Sequence, residues 1–144
     1  YSPDEIKAAC NILDACISHI YHQRMLEVRN LDTAQQIEKY INDNIAWDLS
    51  IEHLCAHFSV SRAELYQIFH TSFNSSVADY IRSKRIAMAE QMIRTTAMQI
   101  SEIAANVGFY DYNYFSKVFH RKFGCSPREY RKNLESSEEE AEKK

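Results

Sequence analysis

Between residues 51 and 130 the sequence repeats itself. Ile51-x-x-Leu54-Cys55-Ala56-x-Phe58 resembles Ile100-x-x-Ile103-Ala104-Ala105-x-Val107 at an offset of 49 residues, and Phe69-His70-x-x-Phe73-x-x-Ser76-x-x-x-Tyr80 matches Phe119-His120-x-x-Phe123-x-x-Ser126-x-x-x-Tyr130 at an offset of 50. Five identities at fixed spacing in so short a window are hard to obtain by chance. The change of offset puts one extra residue between the blocks, where a turn would lie. Repeats of this length also build solenoids, but a solenoid needs at least about three copies to bury a continuous core. With only two present, the chain reads as two copies of one compact unit.

Those units are helical. Two Gly and two Pro in 144 residues leave little punctuation for the many turns of a sandwich or barrel. In the first copy Ser50 can cap a short helix through Phe58, with Ile51, Leu54, Cys55 and Phe58 at helical spacing. Ser59-Val60 interrupts it, and Ser61 caps a second helix, Arg62 to Phe73, with Glu64 placed as in a capping box. Leu65, Ile68, Phe69 and Phe73 face inward, and the outward face carries Arg62, Ala63, Tyr66 and Gln67. In the second copy Gly108 lets the chain leave the helix Ser101 to Val107, and Asp111 caps the next one. The alternation in Phe109 to Phe115 could suggest a strand, but Phe115, Val118, Phe119 and Phe123 continue with helical spacing. Gly124 ends this helix, and Ser126-Pro127-Arg128-Glu129 starts another. A long helix, Val77 to Thr95, joins the copies, with Tyr80, Ile81, Ile86, Ala89, Met92 and Ile93 on its buried side.

The ends differ from the middle. Ser2-Pro3-Asp4-Glu5 opens a helix over residues 3–29 whose apolar positions Ile6, Ala9, Leu13, Cys16 and Ile20 alternate steps of three and four before Gln23 and Glu27 interrupt them. This stripe suits either dimerisation or packing on another domain. A second helix is expected from Asp32, with Ile37, Tyr40, Ile41 and Ile45 on one face, ending near Trp47-Asp48; Trp47 reads as a packing residue. Residues 134–144 form a charge-rich run expected to be disordered. The chain opens on Tyr1 rather than Met, which suggests a piece of a longer protein, residues 1–30 being the trailing helix or linker of a sensing domain upstream.

A net charge of −3 argues against nucleic acid only until it is divided along the chain. Residues 82–133 hold ten basic and four acidic side chains, a local +6, while residues 1–48, 49–81 and 134–144 carry −4, −2 and −3. A phosphate backbone feels the local field. Short helix, tight turn and capped second helix is the arrangement that lays the second helix in a DNA major groove. Two such units on a rigid connector could enter successive major grooves about 34 Å apart.

The run Ile103-Ala104-Ala105-x-Val107-Gly108-Phe109-x-Asp111-x-x-Tyr114-Phe115-Ser116-Lys117-x-Phe119-x-x-x-Phe123-Gly124-x-Ser126-Pro127-x-x-Tyr130-Arg131 closely resembles the signature of the AraC/XylS family of bacterial transcription regulators, and the resemblance covers about residues 34–133. It implies an all-α, homeodomain-like fold of seven helices, two helix-turn-helix subdomains joined by a long connecting helix, to which the N-terminal helix is extra. The first unit would span about 49–76, the connector 77–95 and the second unit about 100–124. The implied function is sequence-specific binding of double-stranded promoter DNA and transcription regulation, usually activation through RNA polymerase, in the bacterial cytoplasm and at the nucleoid. A homodimer through the N-terminal helix or an absent sensor domain is a further expected partner.

Carried over by position, the base-facing residues are Arg62, Ala63, Tyr66 and Gln67 in the first recognition helix and Tyr112, Asn113, Ser116 and Lys117 in the second. Gln67 and Asn113 suit adenine, Lys117 and Arg62 guanine or phosphate, Tyr66 and Tyr112 thymine methyls and backbone. Phosphate contacts fall to Lys84, Arg85, Arg121 and Lys122 and to the recognition-helix N-termini at Ser61 and Asp111. His70 and His120 suit phosphate contact or a solvated, capping role equally. The chain departs from the family where members often carry a basic residue at the place of Gln67 and Gly at that of Asn74; the first change leaves the first reading helix electrostatically weak.

Other chemistries find little support. Cys10, Cys16, Cys55 and Cys125 have no paired spacing, and His19 and His22 near Cys16 lack the further ligands of a metal site. No cofactor or metal is expected, nor any membrane partner, since the apolar stretches fall short of a bilayer span and the N-terminus has no signal pattern. No phosphate loop, nucleophile elbow or convergent carboxylate pair suggests an enzyme. The main rival is a helical protein-interaction module using Tyr110, Tyr112 and Tyr114 with the N-terminal helix.

Overall fold

A computed structural model describes residues 2–144. Among them the chain forms seven α-helices and no strand: α1 (Pro3–Asp43), α2 (Ile51–Phe58), α3 (Arg62–Ile68), α4 (Val77–Thr95), α5 (Ile100–Asn106), α6 (Tyr112–Phe123) and α7 (Pro127–Glu142). α3 runs on into a π-helical turn, Phe69–Phe73, before Asn74 takes the left-handed conformation. No described helix is long and apolar enough to cross a membrane.

Two cores share one spine. The first gathers Ile37, Ile41 and Ile45 from α1 and the segment after it, Leu54 from α2, Leu65, Ile68 and Phe69, and Val77 and Ile81 from the start of α4. The second gathers Ile86, Ala89 and Ile93 from the rest of α4 with Ile100, Ile103, Val107, Phe109, Phe115, Val118 and Phe119. α4 therefore changes allegiance between Ile81 and Ile86. The repeated aromatics form matching triads: Phe69, Phe73 and Tyr80 lie with ring centroids 4.4–5.4 Å apart, and Phe119, Phe123 and Tyr130 lie 4.5–5.4 Å apart. Such edge and tilted packings add to area burial in both units.

Several expectations are corrected. The two helices expected over 3–29 and from Asp32 are one helix of 41 residues, about 60 Å long. Asp32 and Thr33 do not break it because each bonds along the helix, Gln36 Nε2 donating to Asp32 and Thr33 Oγ1 donating to the Arg29 carbonyl. The N-terminal helix is thus an extension of the first domain helix, not an eighth one. α1 ends at Asp43, short of Trp47, and Trp47 is 71% exposed rather than packed. The run 134–144, expected to be disordered, continues α7 to Glu142; it contains no Gly or Pro, and Ser136 and Ser137 donate back to the carbonyls of Lys132 and Asn133. α5 begins at Ile100 with Gln99 as an N-cap lacking a side-chain bond, so Ser101 lies inside the helix. At α3 Ser61 accepts from the Glu64 amide, without the reciprocal bond of a capping box.

Candidate nucleic-acid interface

The outer faces of α3 and α6 are built alike. An offset of 50 pairs Arg62 with Tyr112, Ala63 with Asn113, Tyr66 with Ser116, Gln67 with Lys117 and His70 with His120. At 100° per residue these positions share one face, opposite the buried Leu65, Ile68 and Phe69 or Phe115, Val118 and Phe119. Arg62, Ala63, Tyr66, Gln67 and His70 are all exposed, as are Asn113, Lys117, His120 and Arg121. Ser116 is half-buried and lines a shallow depression with Lys117, His120, Arg121 and Ser126. Tyr112 differs, since its ring turns partly inward and packs 6.2 Å from Phe115, which leaves it a core role beside any base contact.

The expected phosphate contacts divide. Arg121 and Lys122 are exposed, and with Arg82 they line a second depression between α4 and α6. Lys84 is half-buried and its Nζ lies 3.3 Å from the Glu38 carboxylate, so part of its charge is already spent on α1. Arg85 is largely committed within the chain: its Nε donates to the Ile45 carbonyl at 3.0 Å and one terminal nitrogen to the Trp47 carbonyl at 2.9 Å. Burial holds its guanidinium below the usual arginine range. The phosphate role expected of Arg85 is therefore withdrawn. Asp111 is corrected as well, because its carboxylate accepts from the Asn113 and Tyr114 amides and sits where a phosphate on that helix end would lie. Ser61 Oγ is exposed and keeps its own proton to donate.

Two features escaped sequence reasoning. Arg62 forms an exposed ion pair with Glu52 of α2, a pairing across ten residues that periodicity does not reveal. Exposed pairs of this kind are worth about 0–1 kcal/mol, so a phosphate or base could displace Glu52. Arg82, the first cation of Arg82-Ser83-Lys84-Arg85, is the one of the three that reaches the α6 side; it donates to the Tyr114 hydroxyl at 3.4 Å and pairs with Asp79. Between the two units a cleft of about 650 Å³ is lined by Trp47, Arg82, Arg85, Gly108, Tyr110 and Tyr114.

The family model described as a helix-turn-helix domain matches residues 54–133, a stretch that includes α3 and α6. The regulatory protein SoxS of Escherichia coli K12 is 34% identical over 104 residues, covering 67% of this chain and 97% of SoxS. This chain belongs to the AraC family of helix-turn-helix transcription regulators. The transcriptional activator RhaR of Cronobacter sakazakii is 33% identical over 100 residues, covering 69% of this chain and 35% of RhaR. The chain thus spans about a third of the length of RhaR and nearly all of SoxS. Among solved structures, the DNA-binding domain of AdpA, crystallised with a target DNA, shares the fold with a TM-score of 0.69 at 20% identity over 72% of this chain and 94% of that one.

Proposed function

We propose that this AraC-family chain reads double-stranded promoter DNA with α3 and α6 in successive major grooves and so regulates transcription, as an activator that contacts RNA polymerase. The observation that carries the reading is the offset-50 register of two solvent-facing helix faces, each following a short helix and a turn. Arg62, Ala63, Tyr66 and Gln67 face bases in one groove and Asn113, Ser116, Lys117 and Tyr112 in the other, with Arg82, Arg121, Lys122 and Ser61 on phosphate. Such a protein works in the bacterial cytoplasm at the nucleoid. Selection of bound DNA from a random pool, at stated salt, tests this. It should return two short motifs one helical turn apart, about 10–10.5 bp centre to centre; a pool without enriched sequence would end the proposal.

The N-terminal part of α1 supports a homodimer within this reading. Ile6, Leu13, Ile17 and Ile20 are each more than half exposed and touch nothing else in the chain's cores. The positions Ile6, Cys10, Leu13, Ile17, Ile20, Arg24, Glu27 and Leu31 alternate steps of four and three throughout, the period of a two-helix seam. The partner proposed is a second copy of this chain, aligned along α1. Leu13→Asp should convert a dimer into a monomer in analytical ultracentrifugation; a wild-type chain that stays monomeric at about 100 μM would refute it, a micromolar-or-tighter association being typical of functional interfaces.

A further inference from the structure

The α1–α2 connection, the middle of α4 and the α5–α6 turn meet at one point. Arg85 projects from α4 between Ile81, the last buried α4 residue of the first core, and Ile86, the first of the second. Its guanidinium fork closes on the carbonyls of Ile45 and Trp47 in the α1–α2 connection, where Ile45 packs into the first core. Against the same fork lies Gly108 of the second unit. A Cβ at residue 108 would stand 2.8 Å from Arg85 Nε, 2.8 Å from the Ile45 carbonyl oxygen and 3.0 Å from Arg85 Cζ. Gly108 also has φ +96°, but the equivalent turn of the first unit places Ser59 at φ 53° on an exposed corner. Ser59 sits in the ordinary left-handed basin and +96° lies beyond it, so conformation favours glycine at 108, and the closeness of the two units demands it a second time. Three residues beyond Gly108, Asp111 caps α6, so whatever fixes Gly108 fixes the start of the second reading helix.

We propose that Arg85 and Gly108 form the joint that sets the separation of the two recognition helices, and hence which spacing of half-sites the chain accepts. The inference rests on the two-groove reading above. Arg85 is then a positioning residue that touches no DNA. Its planar fork satisfies two carbonyls at fixed geometry, which the single ammonium of lysine cannot copy. The ligand selected by the joint is a duplex whose half-sites sit at one centre-to-centre distance.

The test compares Arg85→Lys, Arg85→Ala and wild type on duplexes carrying one half-site, and on full sites whose half-site spacing is changed in single base-pair steps. Each affinity is measured across a range of salt. Wild type should prefer its best spacing over one changed by 2 bp by about a hundredfold, the low end of the gain lost when a second attachment is geometrically denied. Both variants should bind the single half-site within about twofold of wild type, which reports folded reading units, while their spacing preference collapses to about twofold and the salt slope stays unchanged. Variants that keep the wild-type spacing profile overturn the joint, and so does a salt slope lowered by about one in Arg85→Ala alone, which would make Arg85 a phosphate contact. A wild type with no spacing preference overturns the two-groove reading itself, and the joint with it.

Discussion

The two units descend from one pattern and are held in different ways. In the first, both left-handed turn positions are filled by side-chain-bearing residues, Ser59 at φ 53° and Asn74 at φ 49°; in the second the same places hold Gly108 at φ 96° and Gly124 at φ 79°. Ser59 and Asn74 are exposed, so the backbone strain is the whole cost. Gly124 likewise has open space around it, whereas Gly108 is pinched between Arg85 and Ile45. Glycine stands where φ is widest, at Gly108 and Gly124, and at Gly108 a neighbour presses on it as well, while Ser59 and Asn74 hold φ values, 53° and 49°, that a residue with a side chain can adopt. A second contrast lies behind the aromatic triads. Tyr130 donates to Glu90, itself paired with Arg94, and Arg131 binds the carbonyls of Met98 and Thr96 after α4. Tyr80, its counterpart, lies beside the Lys84–Glu38 pair without a hydrogen-bond partner of its own. Charge follows the same division, since residues 49–81 carry −2 and residues 82–133 carry +6.

The largest difference between the units is expected at the turns. Gly108→Ala should destabilise the fold by about 2–5 kcal/mol, combining a strained φ with an overpacked joint, while Ser59→Gly should be neutral within about 1 kcal/mol. Equal losses in thermal unfolding would mean that the turns are not held differently. For DNA binding, Lys117→Ala should cost about 1–3 kcal/mol and lower the salt slope by about one, and Arg62→Ala should change the slope less because Glu52 already shares its charge. A larger slope change for Arg62 would reverse the assignment of non-specific affinity to the second unit.

Smaller effects separate the aromatic triads. Tyr130→Phe should lose about 1 kcal/mol of stability with its bond to Glu90, and Tyr80→Phe close to nothing. Finally, burial pushes the Glu90 carboxyl up but hydrogen bonds from Arg94 and Tyr130 pull it down further, leaving it below its ordinary value. A folded-state value below the unfolded one gives stability that is present above the unfolded carboxylate range, about pH 4–5, and is lost as pH falls through the folded value. Acid unfolding of Glu90→Gln should therefore be flatter over that range than wild type, and parallel curves would show that the pair carries no such linkage.

Much of this was legible from residues alone because helical periodicity and caps are local. α4 runs from Val77 to Thr95 as its apolar spacing indicates, and Asp111, Ser126 and Gly124 act at the helix ends where their chemistry puts them. The outward faces of α3 and α6 follow from the same periodicity. What the sequence hid is long-range or ambiguous. Arg82, Lys84 and Arg85 are equivalent cations in a string, yet one faces α6, one meets Glu38 and one folds onto carbonyls about 40 residues earlier. Asp32 and Thr33 look like a helix start because a residue that caps can equally bond along a continuing helix. Trp47 looks like core on composition, but its segment follows the end of α1 and turns the indole to solvent beside the cleft. Tyr112, read as a base contact from its register, sits at the edge of the outward face and packs on Phe115.

Hydroxyl-radical footprinting of this chain on its selected site most directly tests the claim that two unequal units read one duplex. Two protected windows on one face, about one helical turn apart, with the α6 window persisting to higher salt than the α3 window, are the predicted result. A single window, or protection indifferent to sequence, would contradict it.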